Sequence, residues 1–195
     1  NELFNKKIQE IFLRGALPFS RHLGFRETPL NQKIINLVNS FNTKDTKYIE
    51  YGCPDWGPIN VLEKTKLKCI SIIPEQYIFW NCVKKSNQKS LEREFLYEKD
   101  GLENKRFNDS VLGLFLILDH IEKPLDFLTF YLDKGIAAII VLLERTDQDK
   151  GLPIQHLSAW DDQSLKFLAK SLSLKIEFQE IESKDYIAAV LEKNY

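Results

Sequence analysis

A chain of 195 residues, 44% apolar and 28% charged, suits one globular domain with a core of ordinary size. The formal net charge of −1 gives no reason to expect nucleic acid or an anionic membrane as partner, and the longest apolar run, Ile136–Leu143, is far too short to span a bilayer. Three cysteines, Cys53, Cys69 and Cys82, are odd in number and lack metal-ligand spacing, so a reducing cytoplasm is the expected setting and no metal is expected. There is no methionine, even at position 1. That reads either as a segment of a larger multidomain chain or as a sequence from which modified methionines are missing, in which case some spacings are short by a residue.

In chain order, Asn1–Leu13 carries Leu3, Phe4, Ile8, Ile11 and Phe12 at helical spacing. Gly15–Pro29 is irregular. Asn31–Phe41 is a second helix, with Ile34, Ile35, Val38 and Phe41 on one stripe and Asn31 as N-cap. Residues 1–45 thus form an N-terminal helical segment, either a lid over a ligand crevice or packing at a sheet edge. Tyr48–Tyr51 then reads as a first strand. It ends in a turn bounded by Gly52 and Gly57, with Pro54, Asp55 and Trp56 between, and a helix-compatible segment with Ile59, Val61 and Leu62 follows. A strand, a tight glycine loop and a crossover helix mark the place where the backbone of an α/β sheet approaches a nucleotide-like ligand.

Lys68–Ile73 is a second strand, closed by Pro74, and a helix runs from Glu75 to about Lys85. Phe95–Tyr97 is a short third strand, followed by charged loop over Asp100–Asn108. Val111–Leu118 is a continuous apolar run, the pattern of a strand covered on both faces, and it stops at Asp119-His120. Pro124–Lys134 is a helix with proline in its first turn, Leu125, Leu128 and Leu132 on one face, and Gly135 past its end. Ile136–Leu143 is a second buried strand. Asp161–Leu172 is a helix with an Asp N-cap. Leu174–Ile181 and Tyr186–Leu191 are strands joined by a link too short for a parallel crossover, so they form an antiparallel hairpin. The fold class is therefore α/β: a doubly wound, mostly parallel, Rossmann-like sheet over 46–195 with a C-terminal antiparallel hairpin.

Over about Asn31–Glu192 the chain resembles the class I S-adenosylmethionine-dependent methyltransferases, in particular their small-molecule branch. Leu116–Leu128, LILDHIEKPLDFL, is similar to that family's fourth strand and following turn, V-L-E-H-I-x-D-P-x-x-F-L, with Asp119 in place of the Glu. Gln155–Trp160 with Asp161–Leu165 is similar to the H-L-x-x-F-[ST]-x-x-[ST]-L segment before the last helix, and Glu50-Tyr51-Gly52 resembles the E/D-x-G opening of the cofactor loop. The resemblance implies a seven-stranded sheet, S-adenosylmethionine as cofactor and O- or N-methylation of a small-molecule acceptor. It places Glu50, Tyr51, Gly52, Cys53, Gly57, Ile73, Phe115 and Asp119 at the cofactor, with Asp100 as a loose counterpart of the acid near the third strand. His156 becomes the candidate general base, since imidazole titrates near neutral pH, and His120 a weaker one that can equally brace the following turn.

Two departures set up an alternative. Pro54 and Trp56 stand where the family has glycines, and Ile73 stands where it has an acid that accepts hydrogen bonds from the ribose. The alternative is a degenerate methyltransferase-like domain with a structural or partner-binding role and weak or no cofactor binding. A nicotinamide-dependent oxidoreductase is a third reading; it lacks G-x-G-x-x-G and the acid after the second strand.

Overall fold

The computed structural model describes residues 29–41, 46–52, 67–74, 93–145, 157–181, 184 and 186–194. The helices expected over 1–13, after 58 and over 75–85 lie outside these, as do Cys53, Gly57 and His156.

Seven strands form one sheet among the described residues: β1 (Lys47–Tyr51), β2 (Lys68–Ile73), β3 (Arg93–Tyr97), β4 (Ser110–Phe115), β5 (Ile136–Glu144), β6 (Leu174–Gln179) and β7 (Tyr186–Lys193). Their spatial order is β3-β2-β1-β4-β5-β7-β6. The first five are parallel. β7 runs antiparallel to both β5 and β6, so the final hairpin is present as the short link required.

Alternation along the strands sends side chains to opposite faces, and both faces are covered. On one face Ile49, Leu112, Leu114, Ile139 and Val141 pack with Leu128 and Tyr131 of α2 (Pro124–Asp133) and Leu165 and Leu168 of α3 (Asp162–Ser171). On the other, Tyr48, Val111, Ile140 and Val190 pack with Ile34, Ile35 and Val38 of α1 (Pro29–Ser40). Each such fully buried aliphatic or aromatic side chain contributes about 1.5–3 kcal/mol.

Several boundaries differ from the sequence reading. α1 starts at Pro29, so Asn31 lies inside the first turn and is not the N-cap. β4 ends at Phe115 and not at Leu118. The apolar run outlasts the strand because Leu118 turns back into the core and is completely buried there. Along α2 it is Leu128 and Tyr131 that are buried, while Leu125 is 44% exposed.

The N-cap of α3 is as the sequence indicates. Asp161 Oδ1 accepts from the Ser164 amide at 2.7 Å and from its hydroxyl at 2.5 Å. The Ser164 hydroxyl, and then its amide, hold the Asp161 carboxyl below the ordinary carboxylate range. A depressed folded-state pKa means that this stabilisation is present at neutral pH and is lost as pH falls below about 4. Asp161→Ala should cost about 1 kcal/mol in urea unfolding at pH 7, and the difference from the parent should shrink in acid.

Candidate active site

The five parallel strands end at one edge of the sheet. From β1 the chain moves outward through β2 to β3, then returns to β4 on the other side of β1. Strand order reverses between β1 and β4, which in open α/β sheets is where the ligand crevice opens.

On the β1 side of that point is Gly52, with φ of 119°, in the left-handed half of backbone space that disfavours residues with a Cβ. Its amide donates to the Ile72 carbonyl at 3.0 Å, which ties the turn to the end of β2. A Cβ at position 52 would meet Ile117 Cγ1 at 3.4 Å. The first glycine of the loop therefore faces the segment after β4 across the switch point.

On the β4 side, Leu116 adopts φ of 53°, a left-handed conformation on a non-glycine residue. Its amide still reaches the Leu142 carbonyl at 2.7 Å, so the bond to the β5 side survives the turn. Such a conformation costs on the order of 1–3 kcal/mol and persists where surrounding packing imposes it. A 3₁₀ turn over Leu118–His120 follows, with Asp119 only 2% exposed. The Asp119 carbonyl accepts from the amides of Leu157 at 2.8 Å and Ser158 at 3.3 Å, which fastens the segment before α3 to the end of β4. His120 Nε2 lies 3.8 Å from Asp119 Oδ1, and its side chain is 17% exposed.

The cofactor candidates separate into groups. Gly52, Phe115 and Asp119 lie at or beside the switch point. Glu50 is buried in β1, in register with Ser71 of β2 and Gly113 of β4. Ile73 is completely buried, so it is a core residue that presents no surface to a ribose, and a carboxylate placed there would enter the core. Asp100 is exposed in a 3₁₀ turn after β3. Tyr51 is buried and its hydroxyl donates to Glu98, 3.0 Å from both carboxylate oxygens.

Glu98 was not among the sequence candidates, and Leu116 and Ile117 lie between the candidates Phe115 and Asp119. Glu98 directly follows β3, two residues before the Asp100 that the resemblance offered near the third strand. A left-handed leucine leaves no mark in sequence at all.

Among the described residues no three His, Cys, Asp or Glu side chains gather as a metal site. No helix among them is long and apolar enough to cross a membrane.

No protein-family model matches the sequence. No curated protein matches it either. Solved structures do. Magnesium protoporphyrin IX methyltransferase from Synechocystis PCC 6803, with bound S-adenosylhomocysteine, matches with a TM-score of 0.67 at 8% identity, covering 96% of this chain and 98% of that one. A SAM-dependent methyltransferase from Aquifex aeolicus matches at 0.64 and 13% identity, covering 90% and 97%. The N-terminal domain of EvdMO1, crystallised with S-adenosylhomocysteine and D-fucose, matches at 0.63 and 13% identity, covering 87% and 85%. The chain thus has the seven-stranded α/β fold of the S-adenosylmethionine-dependent methyltransferases. At these identities the likeness concerns the fold.

The residues fit such a cofactor at the switch point, where Gly52 leaves the turn without a Cβ opposite Ile117. They do not fit it at Ile73.

Proposed function

We propose that the chain is an S-adenosylmethionine-dependent methyltransferase that methylates an oxygen or nitrogen of a small-molecule acceptor. The observation that carries this reading is the left-handed Gly52 turn facing Ile117 where strand order reverses. Bound there, S-adenosylmethionine would supply a methyl group carried on a sulfonium.

The loop over 50–57, with Glu50, Tyr51, Gly52, Cys53 and Gly57, would hold the cofactor from the β1 side. Phe115–Asp119 would wall it from the β4 side. In-line displacement chiefly requires alignment of acceptor, methyl carbon and sulfur, so few catalytic side chains are needed. His156 would take the proton from the acceptor hydroxyl or amine. Its neighbour in sequence, Leu157, is tied to the carbonyl of Asp119, which supports a role for this loop beside the end of β4. His120 is the weaker candidate because its imidazole is largely enclosed. A small-molecule acceptor, no nucleic-acid partner and a cytoplasmic setting belong to the same reading, supported by the near-neutral net charge.

A second reading rests on Ile73. With a buried isoleucine where the family carries its ribose acceptor, a degenerate domain that keeps the fold for a structural or partner-binding task also accounts for the sheet.

Titration calorimetry with S-adenosylhomocysteine separates the two. The methyltransferase reading expects a saturable heat, and silence at millimolar ligand favours the degenerate domain. Once an acceptor is identified, His156→Ala should lower turnover about 100-fold or more while the cofactor affinity changes less than about 3-fold. Unchanged turnover would remove His156 from the chemistry.

A further inference from the structure

β6 forms one edge of the sheet, paired with β7 on one side and, among the described residues, with no strand on the other. Such an edge points a row of backbone amides and carbonyls outward, ready to pair with another strand. Side chains along it alternate. Leu174, Ile176 and Phe178 lie on the face of α2 and α3, in one cluster with Leu165 and Leu168. Lys175 and Glu177 take the opposite face and are exposed. Glu177 stands across from Val190 of β7, which offers it no charge, and accepts a hydrogen bond from Gln179 Nε2 at 3.2 Å.

Two copies of an edge strand can pair antiparallel about a two-fold axis normal to the sheet. Residues that then meet must share a face, so the axis passes through a residue and not between two. Charge selects the register. An axis at Lys175 sets that lysine against its own copy, and an axis at Glu177 does the same with a glutamate; like charges directly opposite oppose pairing. An axis at Ile176 instead sets Lys175 against the partner's Glu177, and Glu177 against the partner's Lys175. On the other face it sets Leu174 against the partner's Phe178. Lys175 is also in register with Glu192 of β7, so its ammonium then stands between two carboxylates. Ser173, with φ of 57°, turns the chain just before Leu174 and limits the match to Leu174–Phe178. At the opposite edge of the sheet, β3 has no such match. About Phe95 its Glu94 would meet Leu96, and Glu94 is already held by Lys105 at 3.1 Å.

We propose that β6 joins two copies of this chain in a closed two-fold dimer through Leu174–Phe178, with Lys175 and Glu177 setting the register. A contact this short belongs to the weak, transient class, so the dimer forms at high protein concentration. It is independent of the methyltransferase reading, because β6 is separated from the β1–β4 switch point by β5 and β7.

The test is sedimentation equilibrium of the whole chain from about 10 μM to about 1 mM, where the parent should fit a monomer–dimer equilibrium. Lys175→Glu and Glu177→Lys should each weaken association about 10-fold, since each turns two attractive cross-strand pairs into repulsive ones. Circular dichroism identifies folded variants, and if one single variant fails to fold, the other and the double variant carry the test. Lys175→Glu with Glu177→Lys in one chain should restore the affinity to within about 3-fold of the parent. Mixing the two single variants should likewise yield a mixed dimer, in which every charge again meets its opposite. A parent that stays monomeric throughout this range would overturn the proposal and leave the edge to a strand of different sequence. So would association that charge reversal leaves unchanged or that the double variant fails to recover, because another surface or register would then hold the copies together.

Discussion

Gly52→Val should abolish detectable binding of S-adenosylhomocysteine while leaving a folded chain. The expected loss is about 100-fold or more, because two effects act at one residue. A valine Cβ at φ of 119° strains the turn, and the added methyl groups occupy the space between the end of β1 and Ile117, whose Cγ1 already lies 3.4 Å from the Cβ position. The strain should cost about 1–3 kcal/mol of stability, less than the whole of a domain this size. Circular dichroism should therefore show an unchanged sheet, and calorimetry no heat. Retained affinity would move the ligand away from the switch point.

The largest expected effect on stability comes from Gly113, in the middle of β4. Its Cβ position is 1.9 Å from the Tyr48 hydroxyl oxygen and 2.7 Å from Cζ of the same ring. Tyr48 is fully buried and lies across this glycine from β1, so the ring has nowhere to withdraw without disturbing the α1 face. Overpacking of this kind typically costs about 1–3 kcal/mol, and a clash with a buried ring in a central strand belongs at or above the top of that range. Gly113→Ala should lower the urea midpoint accordingly. Tyr48→Phe in the same chain should recover part of the loss, since it removes the nearer of the two clashing atoms. A double-mutant cycle with no coupling would show that the glycine is kept for another reason.

Much of the fold was legible in sequence because its signals are local. The unbroken apolar runs at Val111–Leu118 and Ile136–Leu143 announce strands buried on both faces, and both lie at the centre of the sheet. Asp161 caps α3, Pro124 opens α2, and the short link before Tyr186 permits only a hairpin. Each of these depends on backbone hydrogen bonding or chain reach within a few residues. The positive-φ turn at Gly52 was likewise legible, since a glycine that ends a strand readily supplies such a turn.

The rest depended on which residues meet across the sheet, and that is decided by strand order and register. Ile73 looked like an altered ribose position until its complete burial made it core. Tyr51 was read as a residue of the cofactor loop, yet its hydroxyl spans β2 to reach Glu98, 47 residues further along the chain. Gly113 carried no signal, because the ring that requires it belongs to a neighbouring strand. Leu116 is left-handed against its own residue preference, with its amide still bonded to the Leu142 carbonyl. Sequence by itself determined the elements and their alternation. Tertiary structure alone decided which side chains meet across the sheet, because side chains distant in sequence share an environment only after the sheet is assembled.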